Sequence, residues 1–471
     1  MNNTSSFASY TAQQAVLEKL KNSQPELLLP RQTFDESSYL PLIGITGLDD
    51  NRPAGYLRYY PQDFIVEEVL SATTSSQIEP DDTPPVRNGK KPTLFADLVK
   101  VGISSLEALD RLSAGLNLHP TKLGYAGIKD SNALTSQRIS LSKSSYEEIV
   151  SKKIDGLFLT RFSYEPGRIV RSNLLGNKFT IMVRTKEKIE RDWLTAKMST
   201  IKKDGFLNYY QVQRFGGDKL VSHLLGREIL KKDYENAVKT CLLYASEYEI
   251  KLAHELKQEA AKYYGDWPKM FEILSLLPYS FRYELDLLRY LRHQPKDFIG
   301  ALIAIKEQTT LWVYAYASWL FNCYLSQIAA ERKPIPDNLP LITSDNPADW
   351  QIYAAWLERD KITDIVGALS PFDFIKLMSR PTPSRIYPQE NMAMIIDAGV
   401  IFHFFLNKGA YATTYLMNMF KLQEGLPIPE WIHKEPGDLK KLLGLGTSAP
   451  AEERLKKYIF SQIDRANQAG Q

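Results

Sequence analysis

An α+β fold is predicted for this chain: a sheet-bearing domain split by a helical region. Three features predict it. Apolar and polar residues alternate in short runs in the first half, as at Phe64, Val66 and Val69 against Glu67 and Glu68, and at Phe179, Ile181 and Val183. From Asp218 to about Ser379 the apolar residues fall instead at helical spacing. Strand-like runs then return at Met394-Ile395-Ile396 and Val400–Leu406.

Length and composition set the outer bounds. At 471 residues the chain exceeds one ordinary core, so more than one domain is expected. Its 44% apolar content suits a folded protein. Two cysteines, Cys241 and Cys323, lie far apart without a CxxC, which argues against a disulfide scaffold or a cysteine zinc site. This usage, with an N-terminus that lacks a basic start and apolar core, suggests a cytoplasmic protein. The most apolar run, Met392–Leu406, is too short to span a bilayer and is interrupted by Asp397 and His403, so no membrane partner is expected. Net charge is only +3, so any nucleic-acid site must come from local clustering.

Taken in order, residues 1–50 read as a polar N-terminal arm with one amphipathic piece around Ala15–Leu20. A strand follows in Pro61-Gln62-Asp63-Phe64-Ile65-Val66-Glu67-Glu68. Residues 71–92 are rich in Ser, Thr, Pro and Gly and read as a loop. Residues 104–117 read as a helix: Ser104 and Glu107 can form a capping box, and Leu106, Leu109, Leu112 and Leu116 one apolar face. Residues 161–184 carry Arg161, Arg168, Arg171, Lys178 and Arg184 against one acid, Glu165, an excess that can meet phosphates or simply face water. Helices are expected over Lys219–Ala245, Tyr248–Tyr264, Phe271–Arg292 and Leu311–Ile328. Charged positions 434–442 and 452–465 suggest surface helices near the end.

The chemistry centres on residues 124–141, GYAGIKDSNALTSQRISL. Gly124 and Gly127 suggest tight turns or close backbone approach just before Lys129-Asp130. A carboxylate beside a lysine can stay ionised and act as base, nucleophile or ligand. Pattern alone leaves two readings open, a solvated surface pair or a catalytic carboxylate.

Resemblance narrows the choice. GYAGIKDSNALTSQ resembles the AG-x-KD-x-x-A-x-T-x-Q motif of TruD-type tRNA pseudouridine synthases. Pro61–Glu68 is similar to that family's PEDF-x-V-x-E. Residues 208–216, NYYQVQRFG, resemble NYFG-x-QRFG, with Tyr210 in place of Phe and Gln211 in place of Gly. Residues 168–185 resemble R-x-G-x-L-x-GN-x-F, with Ser172 in place of Gly. Residues 316–322 resemble YQS-x-x-FN, with Ala317 in place of Gln, and Phe405–Thr413 resembles F-x-LPKGSYAT. The motifs fall in the family's order over about residues 52–420.

The resemblance implies a pseudouridine synthase catalytic fold on a mixed, mostly antiparallel sheet. Its expected parts are an arm at 1–50, catalytic residues at 51–217 and 381–420, an inserted TRUD domain at 218–380 and an extension at 421–471. It implies isomerisation of uridine to pseudouridine in tRNA, at the thirteenth nucleotide in the D-arm, by a monomer. Asp130 is then the nucleophile, and Lys129 or Arg214 the cation that keeps it ionised. Phe64, Asn208, Tyr210, Gln213 and Arg214 are the expected substrate contacts, with Tyr210 stacking on the flipped base. No cofactor or metal is expected: no P-loop or dinucleotide fingerprint occurs, and the six histidines show no HxxH or HExxH. Two other readings stay open: a catalytically silent RNA-binding or RNA-chaperone protein on the same fold, and a hydrolase using Asp130.

Overall fold

In a computed structural model, the structure describes residues 3–87, 93–342, 344–459 and 461. Seven strands form the spine of an eleven-stranded sheet. They are β1 (Phe64–Ser71), β2 (Thr93–Lys100), β3 (Leu134–Leu141), β4 (Leu157–Glu165), β5 (Gly176–Thr185), β6 (Gln389–Ile396) and β7 (Gly399–Asn407). Their order is β6-β7-β5-β1-β3-β2-β4. Neighbours run antiparallel except β1 and β3, which pair in parallel through Ile65↔Leu134, Val66↔Thr135 and Glu67↔Ser136. That parallel pair lies mid-sheet, and all eight residues of β3 are buried.

The period-2 alternation decides what each face carries. Phe64, Val66, Phe179, Ile181, Phe402 and Phe404 project into one core shared with the helical region. Ile65, Leu134, Met182 and Ile401 project from the opposite face and pack against Leu439, Ala451 and Leu455. The C-terminal helices Leu439–Leu442 and Ala449–Leu455 are therefore not mere surface decoration; they cover the back of the sheet. Lys440 is buried there and pairs with Glu67 at 2.8 Å. The part of the expected 452–465 helix that falls on residues 460 and 462–465 lies outside the described residues, as do residues 88–92 of the expected loop.

Helix α1 (Ser105–Gly115) begins where expected, with Ser104 Oγ accepting from the Glu107 N–H. The reciprocal half of the capping box is replaced by a Glu107–Arg111 ion pair. Its buried face is Ala108, Leu109 and Leu112, while Leu106 faces solvent. In the helical region, the expected Lys219–Ala245 helix is broken. It forms α2 (Ser222–Leu230) and a second helix, Tyr234–Leu243, because Lys232 adopts φ +63° and Asp233 caps the new start. The expected Phe271–Arg292 helix likewise splits into Trp267–Leu274 and Arg282–Leu291. Helix α3 (Lys306–Ala330) is the long axis of this region, packed on α2.

The N-terminal arm is tied to the helical region at Gln13 and at Leu42-Ile43. Gln13 bonds the Ser280 hydroxyl and the Tyr279 and Ser280 backbone N–H groups. Trp319 and Asn322 of α3 donate to the carbonyls of Leu42 and Ile43.

Candidate active site

The stretch around Asp130 is built by close approach rather than by unusual backbone angles. A side chain at Gly124 would put its Cβ 2.6 Å from the Ile169 carbonyl oxygen, and one at Gly127 would sit 2.8 Å from Lys129 Nζ. Neither glycine has a positive φ. Gln137, the last polar residue of the motif, donates to the Gly127 carbonyl at 3.3 Å. Ser105, at the start of α1, accepts from the Lys129 backbone N–H at 2.8 Å and donates to Gln137 at 2.9 Å. Lys100, at the end of β2, donates to the carbonyls of Asp130 and Ile103 at 2.6 and 2.8 Å. Burial holds the Lys100 amine down at about 7.

Lys129 does not face Asp130. Its ammonium is buried and lies 2.7 Å from Glu68 Oε1, and Glu68 is wholly buried in β1. The other Glu68 oxygen accepts from the Arg138 backbone N–H at 3.2 Å. Arg214 is not the partner either: its guanidinium lies over the Tyr210 ring at 5.1 Å. Among the described residues, the cation paired with the Asp130 carboxylate is Arg58, with Nη2 3.3 Å from Oδ2. Arg58 also pairs with Glu424 and lies over the Phe64 ring at 3.9 Å. It has φ +57°, a left-handed conformation that costs a non-glycine residue roughly 1 kcal/mol or more. The two flanking carboxylates hold the Arg58 guanidinium above its ordinary range, outweighing a burial that acts the other way.

Gln213 donates to the second Asp130 oxygen, Oδ1. The Asp130 carboxylate is thus gripped from two sides yet remains 28% exposed. It stands on the rim between two cavities. The inner one, about 250 Å³, has Phe64, Val66, Phe179 and Tyr411 among its walls and Lys408 at its edge. The outer one, about 410 Å³, runs past Gln211, Asp218, Tyr248 and Glu424. Arg214 borders a third, of about 640 Å³, that continues over the helical region.

The remaining expected contacts divide sharply. Phe64 lies under Arg58 and against Phe179, at the floor of the inner cavity. Gln213 and Arg214 come to the site. Asn208 does not: buried, it donates to the Pro383 carbonyl at 2.9 Å and ties the two catalytic segments together. Tyr210 is 8% exposed and packs edge-on against Phe321 and Tyr411. Its backbone N–H and carbonyl are both bonded by the Asn322 side chain. Tyr411, unlike Tyr210, lines the inner cavity, together with Phe64 and Phe179.

The basic runs are mostly spent on ion pairs. Arg184 forms a two-pronged buried pair with Asp63, both contacts 2.9 Å. Arg161 meets Asp97, and Lys178 meets Glu390. Arg58, Lys100 and Glu424 carry no local signal of a role, whereas Lys408 and Tyr411 fall inside the Phe405–Thr413 motif, which does not single them out. Arg58 could have been suspected only as a basic residue just upstream of the Phe64 strand.

A family model for tRNA pseudouridine synthase D (TruD) matches residues 47–346. The chain is similar to the probable tRNA pseudouridine synthase D of Methanopyrus kandleri, 29% identical over 362 residues, 71% of this chain and 87% of that one. It is 30% identical to the Pyrobaculum islandicum protein of the same name over 411 residues, 80% of this chain and 94% of that one. A crystal structure from Methanosarcina mazei, assigned to TruD, superposes with a TM-score of 0.60 at 20% identity, covering 81% of this chain and 98% of that one, which establishes the fold. The chain belongs to the TruD family of tRNA pseudouridine synthases, enzymes that isomerise uridine within RNA.

Proposed function

We propose that this enzyme isomerises a uridine of tRNA to pseudouridine, at the thirteenth nucleotide in the D-arm, with Asp130 as nucleophile. One observation carries the reading. Asp130 presents a carboxylate held between Arg58 and Gln213 on the rim of an aromatic-walled cavity. The reaction adds and removes no atoms. The C–N glycosidic bond breaks, the base turns, and a C–C bond forms at C5 as the C5 proton leaves and N1 gains one. The protein must supply a carboxylate to act on the ribose or base and a place for the everted ring. The inner cavity supplies the place, with Phe179 and Tyr411 as walls for the ring. Lys408 and Arg214 line the inner and third cavities and would meet the flanking phosphates.

The helical region helps to choose the RNA by lining the larger cavity that leads to the site. Its lysines and arginines near α2 are poorly suited to phosphate contact. Lys219 pairs with Glu284, Arg227 and Lys231 with Glu228, and Lys232 with Asp364.

Asp130→Asn tests the proposal, since it keeps size and removes charge. A tRNA transcript should still bind, and pseudouridine formation should fall by several decades. Turnover near that of the wild type would remove Asp130 from the reaction.

A further inference from the structure

A further pocket lies between the helical region and the N-terminal segment, outside the three cavities described above. Its volume is about 170 Å³, and its walls include Leu42, His223, Arg227, Tyr316, Trp319 and Asp360. The space is small, and three rings that pack on one another form part of its lining. The Trp319 ring is nearly parallel to Tyr316 (16°, centroids 5.8 Å apart) and to His223 (13°, 6.2 Å). Arg359 lies over Trp319 at 5.2 Å.

Polar groups converge on the same space. His223 is 5% exposed, yet its Nδ1 has no hydrogen-bond partner among the described residues. Burial, with Arg227 nearby, holds this imidazole neutral, its pKa pushed down to about 3. A neutral ring nitrogen can accept or donate one hydrogen bond, depending on the tautomer. Asp360 accepts from the Tyr316 hydroxyl at 2.8 Å and from Arg359 at 2.9 Å, and a carboxylate has room for one further donor. Arg227 is already paired with Glu228, and Arg359 with Asp360. An aromatic lining, an orphan ring nitrogen and a carboxylate with room for a further donor match the needs of a nucleobase.

We infer that this pocket takes a second, everted nucleobase of the substrate RNA, distinct from the target uridine. The inference rests on the RNA-modifying reading above and adds a specificity site to it. The pocket also touches the catalytic machinery. His223 meets Phe215 edge-on at 5.3 Å, and Phe215 ends the turn Val212–Phe215 that carries Gln213 to Asp130. A base seated against His223 supports the turn that grips the nucleophile, so only an RNA that fills both cavities is correctly registered.

Two experiments test this on the full chain. First, protein carrying 5-fluorotryptophan is titrated with AMP and with ribose 5-phosphate, and the Trp319 resonance is identified by its loss in Trp319→Phe. Among seven tryptophans, the Trp319 signal should move with AMP and stay in place with ribose 5-phosphate. No movement at millimolar AMP, or equal movement with both, overturns the inference. Second, tRNA transcripts with single abasic positions in unpaired segments are assayed with wild type and Trp319→Leu. One lesion should raise the wild-type KM about tenfold to a hundredfold. The same lesion should cost nothing more in Trp319→Leu, because the base and its platform are then already parted. Losses that add at every position overturn the inference. If the wild type forms no pseudouridine in any transcript, the RNA-modifying reading fails instead, and the AMP titration alone decides the pocket.

Discussion

Lys129→Met separates two roles that adjacency to Asp130 confuses. In the structure Lys129 serves Glu68, not Asp130: Nζ and Oε1 are 2.7 Å apart, with 3% and 0% of the side chains exposed. Removing one partner of such a pair strands a charge in the interior and costs about 3–5 kcal/mol. That is two to three decades or more in the folded-to-unfolded ratio. Glu68→Gln in the same chain removes the stranded charge, and its amide oxygen can still accept from the Arg138 N–H. The double variant should regain at least about 2 kcal/mol over Lys129→Met in urea unfolding followed by a catalytic-domain probe. Single-turnover kinetics below the unfolding range supply the second half of the test. Loss of turnover in Lys129→Met should arise from displacement of the Asp130 loop, so Glu68→Gln should restore much of it. Full stability of Lys129→Met would refute the buried-pair argument. Restored stability without any restored turnover would return Lys129 to a direct role at Asp130.

Other consequences can be checked separately. Arg58→Lys keeps a charge but loses the fork that spans Asp130 and Glu424; turnover should fall about tenfold or more while the fold holds, and unchanged single-turnover rates would dismiss the fork. His223 titrates at about 3 in the folded chain and near 6.5 unfolded, so the unfolded state binds more protons between those values and stability falls as pH drops through that window. From pH 7 to 5 this amounts to about 2 kcal/mol, which His223→Phe should abolish in urea midpoints. Truncation after residue 436 removes Leu439 and Leu455 from the back of the sheet, about 3–6 kcal/mol of burial, and strips Lys440 from Glu67. The truncated chain should aggregate; a soluble, fully active product would show that the sheet does not need its cover.

The fold was legible where information is local. Alternation at Phe64–Val66 and Phe179–Val183 marks strands and the residues that share the face toward the helical region, but not the burial of the other face, where Glu67, Thr180 and Arg184 are also buried under the C-terminal cover or in ion pairs. The Ser104 cap marked the start of α1 for the same reason: the bond it makes closes within three residues. Helical spacing between Lys219 and Ala245 could report burial but not the break at Lys232, since a left-handed residue interrupts the axis without altering which residues are apolar. Tertiary partners were illegible. Arg58 and Asp130 are 72 positions apart, and Lys129 and Glu68 are 61 apart, so no window of sequence contains either pair. The Tyr210 ring was illegible as well, because whether an aromatic packs or waits for a base depends on what stands beside it, here Phe321 and Tyr411.

The motif residues sort by that same distinction. Glu68, Lys129, Gln137, Asn208 and Asn322 are buried or bonded to the backbone of another motif, and they hold the loops in register. Asp130, Gln213 and Arg214 reach the cavities. A motif match reads both kinds alike, because a loop that must present one carboxylate to within a few tenths of an ångström constrains its supports as tightly as the carboxylate itself. Only the geometry tells them apart, and it predicts different failures: substitutions in the first group should be rescued by a compensating partner, and substitutions of Asp130 should not.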